Sequence, residues 1–267
     1  MAERCSSFSQ KLKTIKMQYD SLIIGNGEVG SALKKVLDAR NDKRSCSIID
    51  RKDEDFKEKL NDSKCKTLHI CIPYSKTFVK DTLNYLRLFQ PELCIIHSTV
   101  PVGTTSRINY SAFATKVAPL THVVHSPVRG LHPNLDTGLL TFVKYVGTDS
   151  KEAFEKAKKE MDNMNVVWFE KSEDSELGKL LDTSYYGVCI SWHREMERLC
   201  KYFDVNFENA VTAFNISYNE GYSKLKPNVV RPVLTSPGKK KIGGHCVTQN
   251  AKLLNAQQQS KFLDLIK

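Results

Sequence analysis

Short apolar runs, separated by stretches with helical period, fill the first part of this chain. The runs are Leu22-Ile23-Ile24, Ser47–Asp50, Thr67–Ile72, Glu92–His97, Thr121–His125, Thr141–Val146 and Asn165–Phe169. Brief apolar runs bounded by turn residues predict buried strands. Between them lie helical patterns: Glu28–Ala39 with Val29, Leu33, Val36 and Leu37; a charged stretch, Arg51–Lys66; Tyr74–Phe89; and Lys151–Met161. Strands alternating with helices predict an α/β fold with a parallel, doubly wound sheet of Rossmann type. We assign it residues 20–170, after a polar N-terminal extension, 1–19.

The pattern changes at Glu170. Lys171–Ser175 reads as a polar linker. From Ser175 to about Tyr202 the apolar positions Leu177, Leu180, Leu181, Tyr185, Val188, Trp192, Met196 and Leu199 repeat with helical period. So wide a stripe on one long helix asks for a partner surface. Asn206–Glu220 reads as a shorter helix, Lys224–Gly244 as mostly loop and Asn250–Ile266 as a last helix. Residues 171–267 are therefore expected to form a smaller, all-helical domain.

The first strand runs into Gly25-Asn26-Gly27-Glu28-Val29-Gly30, and a helix follows. Strand, Gly-x-Gly-x-x-Gly turn and helix are the context in which this motif binds a dinucleotide. Gly25 permits the tight turn, Gly27 lets a pyrophosphate approach the backbone, and Gly30 lets the helix pack on the strand. Free N–H groups of Asn26 to Val29 and the helix dipole would face the phosphates. Asp50 ends the second strand twenty residues after Gly30. A carboxylate there accepts both ribose hydroxyls of NAD and repels the 2′-phosphate of NADP. Arg51 and Lys52 leave the alternative open, since an adjacent Arg accommodates that phosphate. In open sheets the ligand sits beyond the carboxyl ends of the strands. The loops at Pro73, Ser98–Thr105 and Ser126–Pro133 all follow strands and are expected to rim the same crevice.

Composition narrows the function classes. Of 267 residues, 40% are hydrophobic and 26% charged, enough apolar content for a packed core. Forty basic against thirty acidic residues give a net charge of +10, which favours an anionic small-molecule substrate. No nucleic-acid motif accompanies that charge. No apolar run reaches the roughly 18 residues of a membrane span. The eight cysteines show no metal-ligand spacing. With no apolar leader at the N-terminus, they point to a reducing cytoplasm.

Four stretches together resemble the UDP-glucose/GDP-mannose dehydrogenase family: the Gly25–Gly30 turn, Ser98-Thr99-Val100-Pro101-Val102-Gly103-Thr104-Thr105, Glu176-Leu177-Gly178-Lys179 and Gly243-Gly244-His245-Cys246. The resemblance spans about residues 20–255. It covers that family's cofactor domain and helical central domain, and the family's carboxy-terminal nucleotide-binding domain has no counterpart in this sequence.

The resemblance implies an NAD-dependent, two-step oxidation of a sugar primary alcohol to an acid through a thiohemiacetal and a thioester. It puts Cys246 on the nucleophile, Lys179 on the cation that holds the oxyanion, and Thr99 on the loop near the reacting centre. It also implies a nucleotide-sugar substrate and a homodimer formed through the 175–202 helix. Three positions depart from the family pattern. Thr183 replaces an Asn, Asn250 replaces an Asp and so cannot titrate, and Val128 replaces a Glu. His132 stands where many members carry a Glu and is a candidate base. Arg129 and Arg231 are candidate phosphate clamps. Two alternatives remain at this stage: a single-step hydroxy-acid dehydrogenase using Lys179 alone, and an NAD-binding protein with impaired chemistry.

Overall fold

The computed structural model describes residues 17–235 and 245–266. Seven strands form one sheet in the order β2-β1-β3-β4-β5-β6-β7. They are β1 (Met17–Ile24), β2 (Cys46–Ile49), β3 (Ser63–Ile70), β4 (Leu93–Ile96), β5 (His122–His125), β6 (Lys144–Gly147) and β7 (Val166–Phe169). The central strands are apolar because both faces are covered: all four residues of β4 are buried. The first five strands run parallel. The sixth reverses, meeting β5 antiparallel through His125 and Gly147, and β7 runs parallel to β6. The expected sheet is thus mostly, not wholly, parallel.

Helices cover both faces. On one, α1 (Glu28–Asp38), α5 (Leu135–Thr141) and α6 (Lys151–Glu160) close a core of Ile23, Ile95 and Val124 under Leu33, Val36, Leu37, Leu139 and Phe154. On the other, α3 (Phe78–Phe89) packs beside α4 (Thr104–Ala114), burying Phe78, Leu86, Phe89 and Ile108. Helix α6 starts at Ser150, whose hydroxyl accepts from the Ala153 N–H as an N-cap.

Several expected boundaries move. The first strand begins at Met17, inside the supposed extension, because Met17, Gln18 and Tyr19 pair with Ser63, Lys64 and Cys65. The supposed helix Arg51–Lys66 shrinks to α2 (Phe56–Asp62). Ser63 and Cys65 are buried while Lys64 and Lys66 are exposed, which is strand period. Thr104 and Thr105 belong to α4, not to a loop. Thr141 ends a helix, so the sixth strand starts three residues later.

The described residues form two compact units. One holds the residues up to Ser98 together with Thr104–Ser172; the other holds Thr99–Gly103 and Glu173 onward. The second is helical: α7 (Ser172–Tyr202), a π turn (Glu208–Thr212), α8 (Ala213–Leu225), α9 (His245–Gln257) and a 3-10 turn (Leu263–Leu265). The expected linker at Lys171–Ser175 is mostly the first turn of α7; Glu173 and Asp174 there suit the positive end of the helix dipole. The last helix starts at His245, not Asn250, and stops at Gln257. Cys246 is therefore a first-turn residue and not a loop residue. Among the described residues, no helix is long and apolar enough to cross a membrane.

Candidate functional site

The sequence-predicted residues fall into two groups, one in each unit. The first is built on the turn between β1 and α1. Gly25 has φ 104°, and a Cβ there would lie 2.7 Å from the Cys71 carbonyl oxygen. A Cβ on Gly30 would lie 1.8 Å from the Gly25 carbonyl oxygen. Neither position can carry a side chain without moving backbone. Gly27, the N-cap of α1, has nothing within 4 Å of its would-be Cβ. The open side of the turn is therefore at Gly27, at the helix N-terminus, where backbone N–H groups and dipole favour an anion. Val29 packs into the core beneath, and Asn26 Oδ1 accepts from Ser31 Oγ at 2.8 Å, stiffening the turn.

Asp50 is tied to this turn directly. Its Oδ2 accepts the Asn26 N–H at 2.7 Å and its Oδ1 the Lys52 N–H at 2.9 Å. These two donors hold its carboxyl below the usual carboxylate range, so the group is charged. Arg51 points elsewhere. It pairs with Asp81 at 2.9 Å, and Tyr85 and Asp81 together raise its pKa. Pro73 is exposed in the loop after β3. That loop is held to the end of β4 by Ser98, whose hydroxyl donates to the Ile72 carbonyl at 2.6 Å.

The Ser126–Pro133 loop meets the same turn. His132 Nδ1 lies 2.7 Å from Glu28 Oε2 in the first turn of α1. The imidazole thus engages the acid that stands at this helix end. Arg129 is not poised as a phosphate clamp. It donates to the Val143 carbonyl at 2.9 Å, and its guanidinium lies over the Tyr145 and Phe142 rings.

The second group lies in the helical unit. Thr183 Oγ1 accepts from Asn250 Nδ2 at 3.1 Å and lies 3.2 Å from the Lys179 carbonyl of its own helix. Further along, a Cβ on Gly187 would lie 2.7 Å from Val247 Cγ1. Contacts 183 to 250 and 187 to 247 mean that α7 and α9 run past each other in opposite senses. Lys179 and Cys246, each one turn before a member of the Thr183–Asn250 pair, therefore flank that pair from opposite sides. The loop carrying Thr99 sits at the α7 start and α9 end. Gly103 N–H donates to Glu176 Oε2 at 2.6 Å, and Val102 exchanges hydrogen bonds with the Gln257 amide at 2.9 and 3.0 Å. Thr99 is half-buried and five residues before α4, too far to be its cap.

Burial separates the cysteines. It pushes the thiols of Cys46, Cys65 and Cys71 to about 12, and Cys94 higher still, so these four are inert. Cys246 is half-buried and in no disulfide. Gly243, Gly244 and Lys239–Lys241 lie outside the described residues. Arg231 lies with its guanidinium 3.4 Å from the Tyr218 ring centre, and its backbone is held by the Asn219 side chain. Sequence reasoning passed over Glu176, Gly187 and Gln257, which hold the second group together. Only Glu176 had a signal, its place in the Glu-Leu-Gly-Lys stretch.

No family model matches the chain. A curated relative from Methanococcus vannielii, named UDP-N-acetyl-D-mannosamine dehydrogenase, is 25% identical over 197 residues. The match covers 68% of this chain and 42% of that protein, so the chain spans about two fifths of its relative's length. Among solved structures, a UDP-D-ManNAc dehydrogenase from Pyrococcus horikoshii superposes with TM-score 0.71 at 17% identity, covering 94% of this chain and 66% of that one. A 3-hydroxyisobutyrate dehydrogenase from Mycobacterium tuberculosis superposes with TM-score 0.65 at 13% identity, covering 93% and 91%. The named relative and the Pyrococcus structure match the nucleotide-sugar dehydrogenase family that the four sequence stretches resemble.

The two glycines predict opposite behaviour. Gly30→Ala should cost at least about 3 kcal/mol of stability or abolish folding, because backbone and not a side-chain tip fills the space. Gly27→Ala should stay within about 1 kcal/mol of wild type. Urea unfolding measures both, and equal stabilities would contradict the geometry.

Proposed function

We propose that this chain is an NAD-dependent dehydrogenase of the nucleotide-sugar type, oxidising a primary alcohol on an anionic substrate. The observation that carries this reading is the glycine turn, closed by backbone at Gly25 and Gly30, open at Gly27 and bonded to a charged Asp50. The residues fit a dinucleotide. The N-terminus of α1 would hold the pyrophosphate, and Asp50 would hold the adenosine ribose. Asp50 disfavours a 2′-phosphate, and Arg51 is engaged by Asp81, so NAD is preferred over NADP. NAD supplies the hydride acceptor when bound.

The remaining chemistry belongs to the helical unit. Lys179 would oppose charge on the substrate oxygen as the alcohol loses its proton. The Cys246 sulfur would then bond to the aldehyde carbon, with the carbonyl electron pair moving to oxygen. Loss of a second hydride leaves a thioester that water cleaves. Thr99 lies on the loop bound to the first turn of α7. The Thr183–Asn250 pair holds α7 and α9 in register and offers no titratable group.

That lack favours a second reading, a single oxidation of a hydroxy acid needing Lys179 but not Cys246. The fold likeness to the Mycobacterium enzyme, over 91% of its length, supports it.

We also assign a homodimer through the 175–202 helix. Leu177, Leu181, Tyr185 and Trp192 are 38%, 50%, 64% and 56% exposed along it, a stripe that a soluble monomer rarely leaves uncovered. None of the seven described cysteines is in a disulfide, which supports a cytoplasmic setting.

Two measurements test these readings. With a panel of nucleotide sugars led by UDP-N-acetyl-D-mannosamine, the wild type should yield two NADH per substrate. Cys246→Ala should stop at one, and Lys179→Ala should lower kcat by about a hundredfold or more. One NADH per substrate, on hydroxy acids and indifferent to Cys246→Ala, would replace the first reading with the second. Sedimentation should give a dimer that Tyr185→Glu with Trp192→Glu dissociates; a monomeric wild type would contradict the dimer.

A further inference from the structure

Six polar side chains are buried in one line across the sheet unit. Lys144, at the start of β6, is 2% exposed. Its Nζ donates to the Ser126 carbonyl and, at 2.9 Å, to the Pro127 carbonyl, and lies 3.1 Å from His97 Nδ1. His97 Nε2 lies 2.9 Å from His69 Nδ1, and His69 Nε2 lies 3.2 Å from Glu160 Oε1. Glu160 also accepts from Ser21 Oγ at 2.6 Å and from Arg40 Nη1 at 2.9 Å. None of these groups enters the chemistry proposed above.

With Lys144 as an ammonium, which can only donate, His97 Nδ1 accepts from it. The Ser126 carbonyl, 3.0 Å from the same ring nitrogen, takes its hydrogen from Lys144 instead. The His97 proton is then on Nε2 and points at His69 Nδ1. That nitrogen must accept, so the His69 proton is on Nε2 and points at the Glu160 carboxylate. Every link donates in one direction, from cation to anion.

Burial, with the charge of Lys144 beside it, holds His97 far below the usual imidazole value, so its ring is neutral. Burial opposes the Glu160 carboxylate, but the hydrogen bonds from His69 and Ser21 and the charge of Arg40 outweigh it and keep it ionised. Arg44 stands 3.7 Å from its second oxygen. Buried His125 is turned to the Ser98 carbonyl at 3.2 Å.

We infer that Lys144 is a positioning residue for the Ser126–Pro133 loop, held by a one-directional hydrogen-bond relay through His97 and His69 to Glu160. The ammonium pins the two carbonyls where the loop leaves β5. Six residues later the loop brings His132 to Glu28 at the glycine turn. A lysine among carbonyls would be a costly buried charge. The relay links it to the Glu160 carboxylate. That the pinned loop serves a cofactor rests on the dinucleotide reading; the relay does not.

Removing the ammonium makes a specific prediction. In Lys144→Met, His97 is free to donate from Nδ1 to the Ser126 carbonyl. Its Nε2 then accepts from His69 Nδ1–H. His69 keeps its Nε2–H toward Glu160 and so becomes an imidazolium: the positive charge moves two residues along the line.

Long-range ¹⁵N–¹H spectra of the full chain's histidines read this directly. Wild type should show the His97 ring neutral and protonated on Nε2, with the His69 proton that faces Glu160 also on Nε2. Lys144→Met should show His97 as Nδ1–H and His69 doubly protonated. Amide exchange in residues 126–133 should rise about tenfold or more while β1 and β3 stay protected. An Nδ1–H tautomer of His97 in the wild type would overturn the relay even if the variant does not fold. Unchanged exchange in 126–133 in a folded Lys144→Met would overturn the positioning role. A wild type with the predicted tautomers that binds no NAD would sink the cofactor reading and leave the relay supported.

Discussion

A side chain cannot be added at Gly30 without meeting the Gly25 carbonyl, and none can be added at Gly25 without meeting the backbone after β3. This contact of backbone with backbone sets the distance between α1 and the sheet. The other features of the sheet unit's candidate site follow from it. With α1 drawn in, Leu33, Val36 and Leu37 reach the core under Ile23 and Ile95. The helix N-terminus then lies at the carboxyl ends of β1 and β3, its N–H groups unshielded at Gly27. Asp50, at the end of the neighbouring strand, comes within hydrogen-bond reach of Asn26. A glycine at position 27 is required by nothing in the protein itself, and its open face marks where a ligand would lie.

The helical unit solves a comparable problem with a different device. Gly187 lets α9 approach α7 closely, and the Thr183–Asn250 hydrogen bond fixes the register of that approach. A carboxylate and an amide could do the same, but with a proton to exchange. The hydroxyl and amide present here keep the geometry and give up the titration. The two departures from the resembled pattern thus meet in one hydrogen bond.

Much of the architecture was legible because its strands are apolar on both faces and its first helix has a clean stripe. The failures share physical causes. Helix α4 has alternating small and polar residues, so its buried Thr104, Thr105, Ile108 and Ala112 give little hydrophobic signal. Helix α5 is seven residues long and contains a glycine. The start of α7 was read as a linker because an acidic first turn, good for a helix dipole, looks like solvated loop. In the site, the glycine turn and Asp50 could be read from spacing alone. Arg51 and Arg129 could not be judged, since their partners Asp81, Tyr145 and Val143 are distant in sequence. The buried line from Lys144 to Glu160 was invisible for the same reason. Its members lie on different strands and helices, and only the fold makes them neighbours.

The central claim is a dinucleotide site at the β1–α1 turn that prefers NAD. Calorimetric titration of the wild-type chain with NAD and with NADP tests it most directly. Saturable NAD binding in the micromolar range, with NADP weaker by about tenfold or more, is the predicted result, since a 2′-phosphate must approach the Asp50 carboxylate. Heat-silent titrations that also leave the unfolding midpoint unmoved by either nucleotide would contradict it.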